Sequence, residues 1–275
     1  ALAGRRQELA AAPELAEDGT FSVTIPLLAS RWGSPPLAPM SGHYTLLGVT
    51  SDGRRFPIRA TLDLAARTPV ESLSEWFRVT EAIGKDRHFV LQIGAPLADD
   101  ELGTFNQNRL ERDYQKRRFV PSDSVYLESF YGRQATCNPL ALDRVLAEHH
   151  PELRRFWGVV DRSVWTPEGS TPVVEGTRAW WDARGSARYV IANDWLRRKF
   201  LHQPHQVVLQ TWHGSMLKRI GLDRPSAGKS TQEALRRERD KWDLLVSQNR
   251  HSTEIFKTAY EWTDGIVEEG YPRND

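Results

Sequence analysis

The sequence predicts an α/β protein in two parts. A β-sandwich-like module of immunoglobulin-like size occupies residues 1–98, and a doubly wound lobe with a parallel sheet occupies residues 122–275. Three observations carry this reading. Up to about residue 98, short apolar runs alternate with period two between turn residues. From residue 122 onward, apolar strand-like runs alternate with helical patterns. Between them, residues 99–121 are polar and Arg-rich, from Asn106-Gln107-Asn108-Arg109 to Tyr114-Gln115-Lys116-Arg117-Arg118, and read as a solvated basic linker, or else as a basic patch for phosphate or a membrane surface.

In the first part, Phe21 to Leu27, Tyr44 to Val49, Phe56 to Ala60 and Phe89 to Ile93 read as strands. Ser51-Asp52-Gly53-Arg54 is a hairpin signal between the second and third. Asp52 and Asp86 fit turns better than acid chemistry. No convergent polar set appears there.

In the second part, Ser124 to Phe130 reads as a strand, and Asn138-Pro139 as the cap and first residue of a helix that Pro151 bounds. Phe156 to Val160 is a strand and Thr177 to Arg184 a short helix. Arg188 to Ala192, Gln206 to Gln210, Asp243 to Ser247 and Gly265 to Val267 are further strands. Thr231 to Trp242 reads as an exposed helix, and Ser252 to Tyr260 as another with Ser252 as its cap. Ligands of such sheets bind beyond the carboxyl ends of the strands.

Composition narrows the function classes. Lys plus Arg is 37 against 36 Asp plus Glu, so the net charge of +1 gives no electrostatic reason to expect nucleic acid as a partner. No apolar run approaches the roughly 20 residues a membrane-spanning helix needs, and the first residues do not read as a signal peptide. The single cysteine, Cys137, offers neither an internal disulfide nor a cysteine-based metal site, which fits a cytoplasmic setting. The chain begins without Met and stops at Gly270-Tyr271-Pro272-Arg273-Asn274-Asp275, so it reads as an excised fragment.

The most informative segment runs from Gln210 to Gly221. A buried strand ends at Gln210, and Thr211-Trp212-His213-Gly214-Ser215 follow at its rim. The His213 imidazole can exchange a proton near neutral pH. Gly214 allows close backbone approach to a ligand. Lys218 and Arg219 suit phosphate oxygens, one as a point charge and the other as a fork. Asn193-Asp194 ends the preceding strand and lines the same cleft, or else forms an ordinary Asp-capped turn. His202 and His205 lie three apart without a third ligand and read as solvated loop residues. Gly228-Lys229-Ser230 lacks the leading glycine of a phosphate loop. Trp180-Trp181 and Trp195 read as packing residues or as a lip toward lipid. No carboxylate cluster calls for a metal, and no cofactor motif is present.

Thr211 to Gly221 closely resembles the Trp-His-Gly signature of the CDP-glycerol glycerophosphotransferase family, the teichoic acid primases and polymerases. Three further segments agree in order and spacing: Glu128-Ser129-Phe130-Tyr131-Gly132-Arg133-Gln134 with Asn138-Pro139; Val246-Ser247-Gln248-Asn249 with Ser252 to Phe256; and Gly270 to Asp275. The resemblance covers about residues 124–275. Ser215-Met216 departs from the usual Thr-Pro but keeps the hydroxyl.

The resemblance implies a Rossmann-like, acceptor-side lobe of a two-lobed GT-B-type transferase. Such an enzyme moves glycerol phosphate or ribitol phosphate from CDP-glycerol or CDP-ribitol to a hydroxyl of a polyprenyl-diphosphate-linked acceptor, at the inner face of the cell membrane. It implies His213 as general base, with Gln210, Trp212, Gly214, Ser215, Lys218, Arg219, Asn193, Asp194 and Arg273 as substrate-binding residues. Glu128 and Arg133 match the family motif or hold sheet and helix together. A second essential histidine and most CDP contacts are expected in a C-terminal lobe that follows these residues. Two rival readings stand beside this one: a GT-B glycosyltransferase using a nucleotide sugar, and a non-catalytic acceptor-binding module of a larger synthase.

Overall fold

The computed structural model describes residues 1–31 and 33–274; Asp275, the last residue of the motif at 270–275, lies outside the described residues. The chain divides into two compact units, Ala1–Asp100 with Asp161–Trp165 and Glu101–Val160 with Thr166–Asp275. The short segment 161–165, which the sequence places within the second part, therefore belongs with the first.

The first unit contains β1 (Leu2–Gly4), β2 (Glu8–Leu9), β3 (Glu14–Leu15), β4 (Phe21–Ser22), β5 (Gly42–Val49), β6 (Arg55–Pro57), α1 (Leu62–Arg67), β7 (Val70–Leu73), β8 (Arg78–Ile83) and β9 (Phe89–Gly94). Among the described residues its strands do not form two facing sheets of similar size. One antiparallel sheet has the order β2-β1-β5-β9-β8-β7 with β6 on β5, and β3–β4 is a separate ribbon. The expected hairpin is present: Val49 pairs with Arg55, and Gly53 takes a φ of +83°, open to glycine without strain. Leu2, Leu9, Tyr44, Val79, Leu91 and Ile93 form its buried cluster.

The second unit contains α2 (Gly103–Lys116), β10 (Ser122–Glu128), α3 (Cys137–His149), β11 (Arg154–Val159), β12 (Thr171–Val174), α4 (Arg178–Ser186), β13 (Ala187–Ala192), β14 (Val207–Gln210), α5 (Lys229–Arg239), β15 (Leu244–Val246), α6 (Arg250–Ala259) and β16 (Ile266–Val267). The linker expectation for 99–121 is corrected here: α2 fills most of it and buries Leu110 and Tyr114, one turn apart on one face. Two caps are also corrected. Asn138 lies inside the first turn of α3 and is fully buried, and Asn249, not Ser252, caps α6 by accepting from the Ser252 N–H at 3.0 Å.

Seven strands form one all-parallel sheet in the order β12-β11-β10-β13-β14-β15-β16. Chain order reverses between β10 and β13, the switch point at which a crevice opens beyond the strand ends. Trp180 and Trp181 are buried in the core with Tyr114, Val190, Leu245 and Phe256, which removes the lipid-lip reading for this pair. His202 and His205 are engaged separately, with Gln206 O and Gly185 O, each at 3.1 Å. Among the described residues no cluster of His, Cys, Asp and Glu is placed to hold a metal.

Candidate active site

Three loops meet beyond the carboxyl ends of β10, β13 and β14. The loop after β14 turns sharply at Trp212, whose φ of 55° lies in the left-handed region, unusual for a bulky side chain. His213 follows immediately. Its Nδ1 lies 2.6 Å from the carbonyl oxygen of Asn193, just past β13. A carbonyl can only accept, so Nδ1 carries the proton and Nε2 keeps the basic lone pair. Nε2 has no partner among the described residues. The imidazole stacks on Trp212 at 5.2 Å and 14°, and Phe130, in the loop after β10, meets it edge-on at 5.6 Å. Trp212 is held in turn by edge contacts with Phe256 and Tyr260.

The expected binding residues divide into two sets. Gln210 and Asn193 are buried, and each accepts a hydrogen bond within the protein. Gln210 accepts from the Trp212 N–H at 2.9 Å and donates to Asp194 O at 3.2 Å, while Asn193 Oδ1 accepts from the Phe130 N–H at 2.9 Å. Both bonds support the loops, while the buried Asn193 Nδ2 has no hydrogen-bond partner among the described residues. Asp194 accepts from the Trp195 N–H at 2.8 Å, the turn reading of that residue. Arg273 Nη1 donates to His213 O at 2.9 Å and to Cys137 Sγ at 2.8 Å, so this donor is also turned onto the protein.

Trp212, His213, Gly214, Ser215 and Lys218, with Met216, Leu217 and Ile220, line an open pocket of about 270 Å³. A Cβ built at Gly214 meets nothing within 4 Å, so local packing does not demand glycine there. The Ser215 hydroxyl donates to Gln248 Oε1 at 2.7 Å. Lys218 and Arg219 are exposed and carry no ion pair among the described residues. The N–H groups of His213, Gly214 and Ser215 likewise have no acceptor among the described residues, and they stand beside a basic imidazole. That combination suits an anionic ligand next to a hydroxyl that must lose a proton.

Behind the site, Glu128 ends β10 buried against Tyr126, whose hydroxyl donates to it at 2.5 Å. Burial raises the Glu128 carboxyl above its ordinary range, with the buried Arg184 guanidinium opposing that rise. Glu128 therefore belongs to the lobe's interior, while Arg133 is exposed. Burial, reinforced by a hydrogen bond to Asp194, likewise raises the Tyr131 hydroxyl.

Residues 111–275 match the family profile described as CDP-Glycerol:Poly(glycerophosphate) glycerophosphotransferase. The chain belongs to this family. It is 36% identical over 164 residues to a teichoic acid poly(glycerol phosphate) polymerase of Bacillus subtilis (strain 168), a match covering 57% of this chain and 22% of that protein. It is 37% identical over 164 residues to a teichoic acid glycerol-phosphate transferase of Staphylococcus aureus (strain NCTC 8325 / PS 47), covering 55% and 41%. The fold is similar to that of the wall teichoic acid polymerase TagF, in a variant soaked with CDPG, with a TM-score of 0.58, 26% identity, and coverage of 61% of this chain and 45% of that one. The chain thus spans less than half the length of these relatives.

The candidate site also uses residues that sequence reasoning passed over. Phe130 braces the imidazole, Gln248 holds Ser215, Tyr271 donates to Gly214 O at 2.9 Å, and Asn138 donates to Thr211 O and Trp212 O. All four lie in the motif segments quoted above, but their partners are mostly backbone atoms far away in sequence.

Proposed function

We propose that this chain is the acceptor-side lobe, with an N-terminal β module, of a GT-B-type enzyme that transfers glycerol phosphate or ribitol phosphate. The donor is CDP-glycerol or CDP-ribitol, and the acceptor is a hydroxyl of a polyprenyl-diphosphate-linked chain in teichoic-acid-like polymer synthesis. The observation that carries the reading is the His213 tautomer: Nδ1–H is committed to Asn193 O, and Nε2 is left as a base beside an open pocket.

In the reaction, Nε2 accepts the proton of the acceptor hydroxyl as its oxygen attacks the phosphorus that bears the alditol. A P–O bond forms to the acceptor, the bond from that phosphorus to the bridging oxygen breaks, and CMP leaves with that oxygen. Lys218, Arg219 and the N–H groups of residues 213–215 offset charge on the phosphoryl oxygens. The polyprenyl acceptor puts the work at the inner face of the cell membrane, with the protein in peripheral contact.

The test is CMP release by the full-length enzyme with a short lipid-linked acceptor. CDP-glycerol or CDP-ribitol is expected to support acceptor-dependent release, and a panel of nucleotide sugars is not. Turnover of a nucleotide sugar without turnover of either CDP-alditol overturns the proposal.

A further inference from the structure

Four consecutive main-chain carbonyls around the imidazole, those of Thr211 to Gly214, are each taken by a side-chain donor from elsewhere in the lobe. The two hydrogens of Asn138 Nδ2 go to Thr211 O at 2.9 Å and Trp212 O at 3.0 Å. Arg273 Nη1 donates to His213 O at 2.9 Å, and the Tyr271 hydroxyl to Gly214 O at 2.9 Å. The donors are themselves linked, since Asn138 Oδ1 accepts from the Arg273 N–H at 3.4 Å. Asn138 and Tyr271 are completely buried, so neither owes its position to solvent or to a ligand.

What they hold is not a relaxed turn. Trp212 at a φ of 55° is a conformation that persists only where the surroundings over-determine it. Its torsion sets the direction of the next residue, and the next residue is His213. If the carbonyls were free, the backbone at 212 could relax toward negative φ. The Nδ1–H bond to Asn193 O would then be lost.

We propose that Asn138, Arg273 and Tyr271 form a clamp on the carbonyls of residues 211–214 that fixes both the direction and the Nδ1–H tautomer of the His213 imidazole. They are positioning residues, since none of these contacts involves a reacting atom. The catalytic meaning of the clamp rests on His213 being the base; the clamp itself does not.

Two-bond 1H–15N correlation spectra of the histidine rings at mildly alkaline pH test it, with His213 assigned by comparison with His213→Gln. The expected wild-type pattern is a protonated Nδ1 and an unprotonated Nε2. Asn138→Ala and Tyr271→Phe are expected to move His213 toward the Nε2–H form that free imidazole prefers, with other resonances keeping their folded dispersion. In the full-length enzyme the same variants lower kcat by about 10- to 100-fold with little change in KM for CDP-glycerol. A wild-type ring in the Nε2–H form overturns the clamp. So does a folded variant that keeps the wild-type tautomer. Should Asn138→Ala not fold, Tyr271→Phe, which removes a single oxygen, decides in the same way. A tautomer that shifts in the variants while His213→Ala turns over normally leaves the clamp standing and overturns the general-base reading instead.

Discussion

His213 was legible in the sequence because a buried run ending at Gln210 throws the next few residues onto the rim of a parallel sheet, where ligands bind. Its supports were less legible. Asn138-Pro139 has the look of a helix cap, yet the Asn138 amide crosses to carbonyls more than 70 residues away, and no local pattern announces such a bond. Gln210 and Asn193 carry residue types suited to a substrate, but their strand-end positions turn them inward. Glu128 offers a test at this scale. Burial raises its carboxyl above the ordinary 4.5, so the folded chain holds this proton more tightly than the unfolded chain. The group's contribution to stability is therefore full below pH 4.5 and declines as the pH rises through the raised folded value. Glu128→Gln keeps an acceptor for the Tyr126 hydroxyl and removes that titration. Its melting temperature is expected to fall less than the wild type's between pH 4.5 and neutrality, and parallel melting curves would refute the assignment.

At the scale of elements, runs such as Val190-Ile191-Ala192 and Val207-Val208-Leu209 show themselves as buried parallel strands by apolar continuity. Elements with weak patterns were missed. β12 is a short edge strand that contains Pro172, and α2 exposes most of its surface, so one buried pair of residues is its whole amphipathic signal. The spacing of β10 and β11 has its own residue-level cause. A Cβ at Gly158 would stand 2.0 Å from the Tyr126 hydroxyl oxygen, and Tyr126 is fully buried and cannot swing away. Gly158→Ala is expected to cost about 1–3 kcal/mol by urea unfolding, as overpacking in a close-packed core does. A change within error would mean that the two strands part more easily than their packing suggests.

For the molecule as a whole, strand–helix alternation foretold the parallel lobe, and period-two runs foretold a β-rich first unit. The sequence did not foretell that the first unit would pair its strands mainly into one sheet, or that residues 161–165 would join it, because such pairings depend on contacts between distant segments. The switch point between β10 and β13 gathers the loops that carry Phe130, Asn193 and His213, so three loops distant in sequence converge on one imidazole. The central claim is that Nε2 of this imidazole removes the acceptor's proton. Its most direct test is the turnover of full-length enzyme carrying His213→Ala, measured as CMP release from CDP-glycerol with a saturating lipid-linked acceptor. General-base loss predicts a fall of about 10²- to 10⁴-fold in kcat at an unchanged melting temperature. Turnover within a few-fold of wild type in a correctly folded variant would contradict the account.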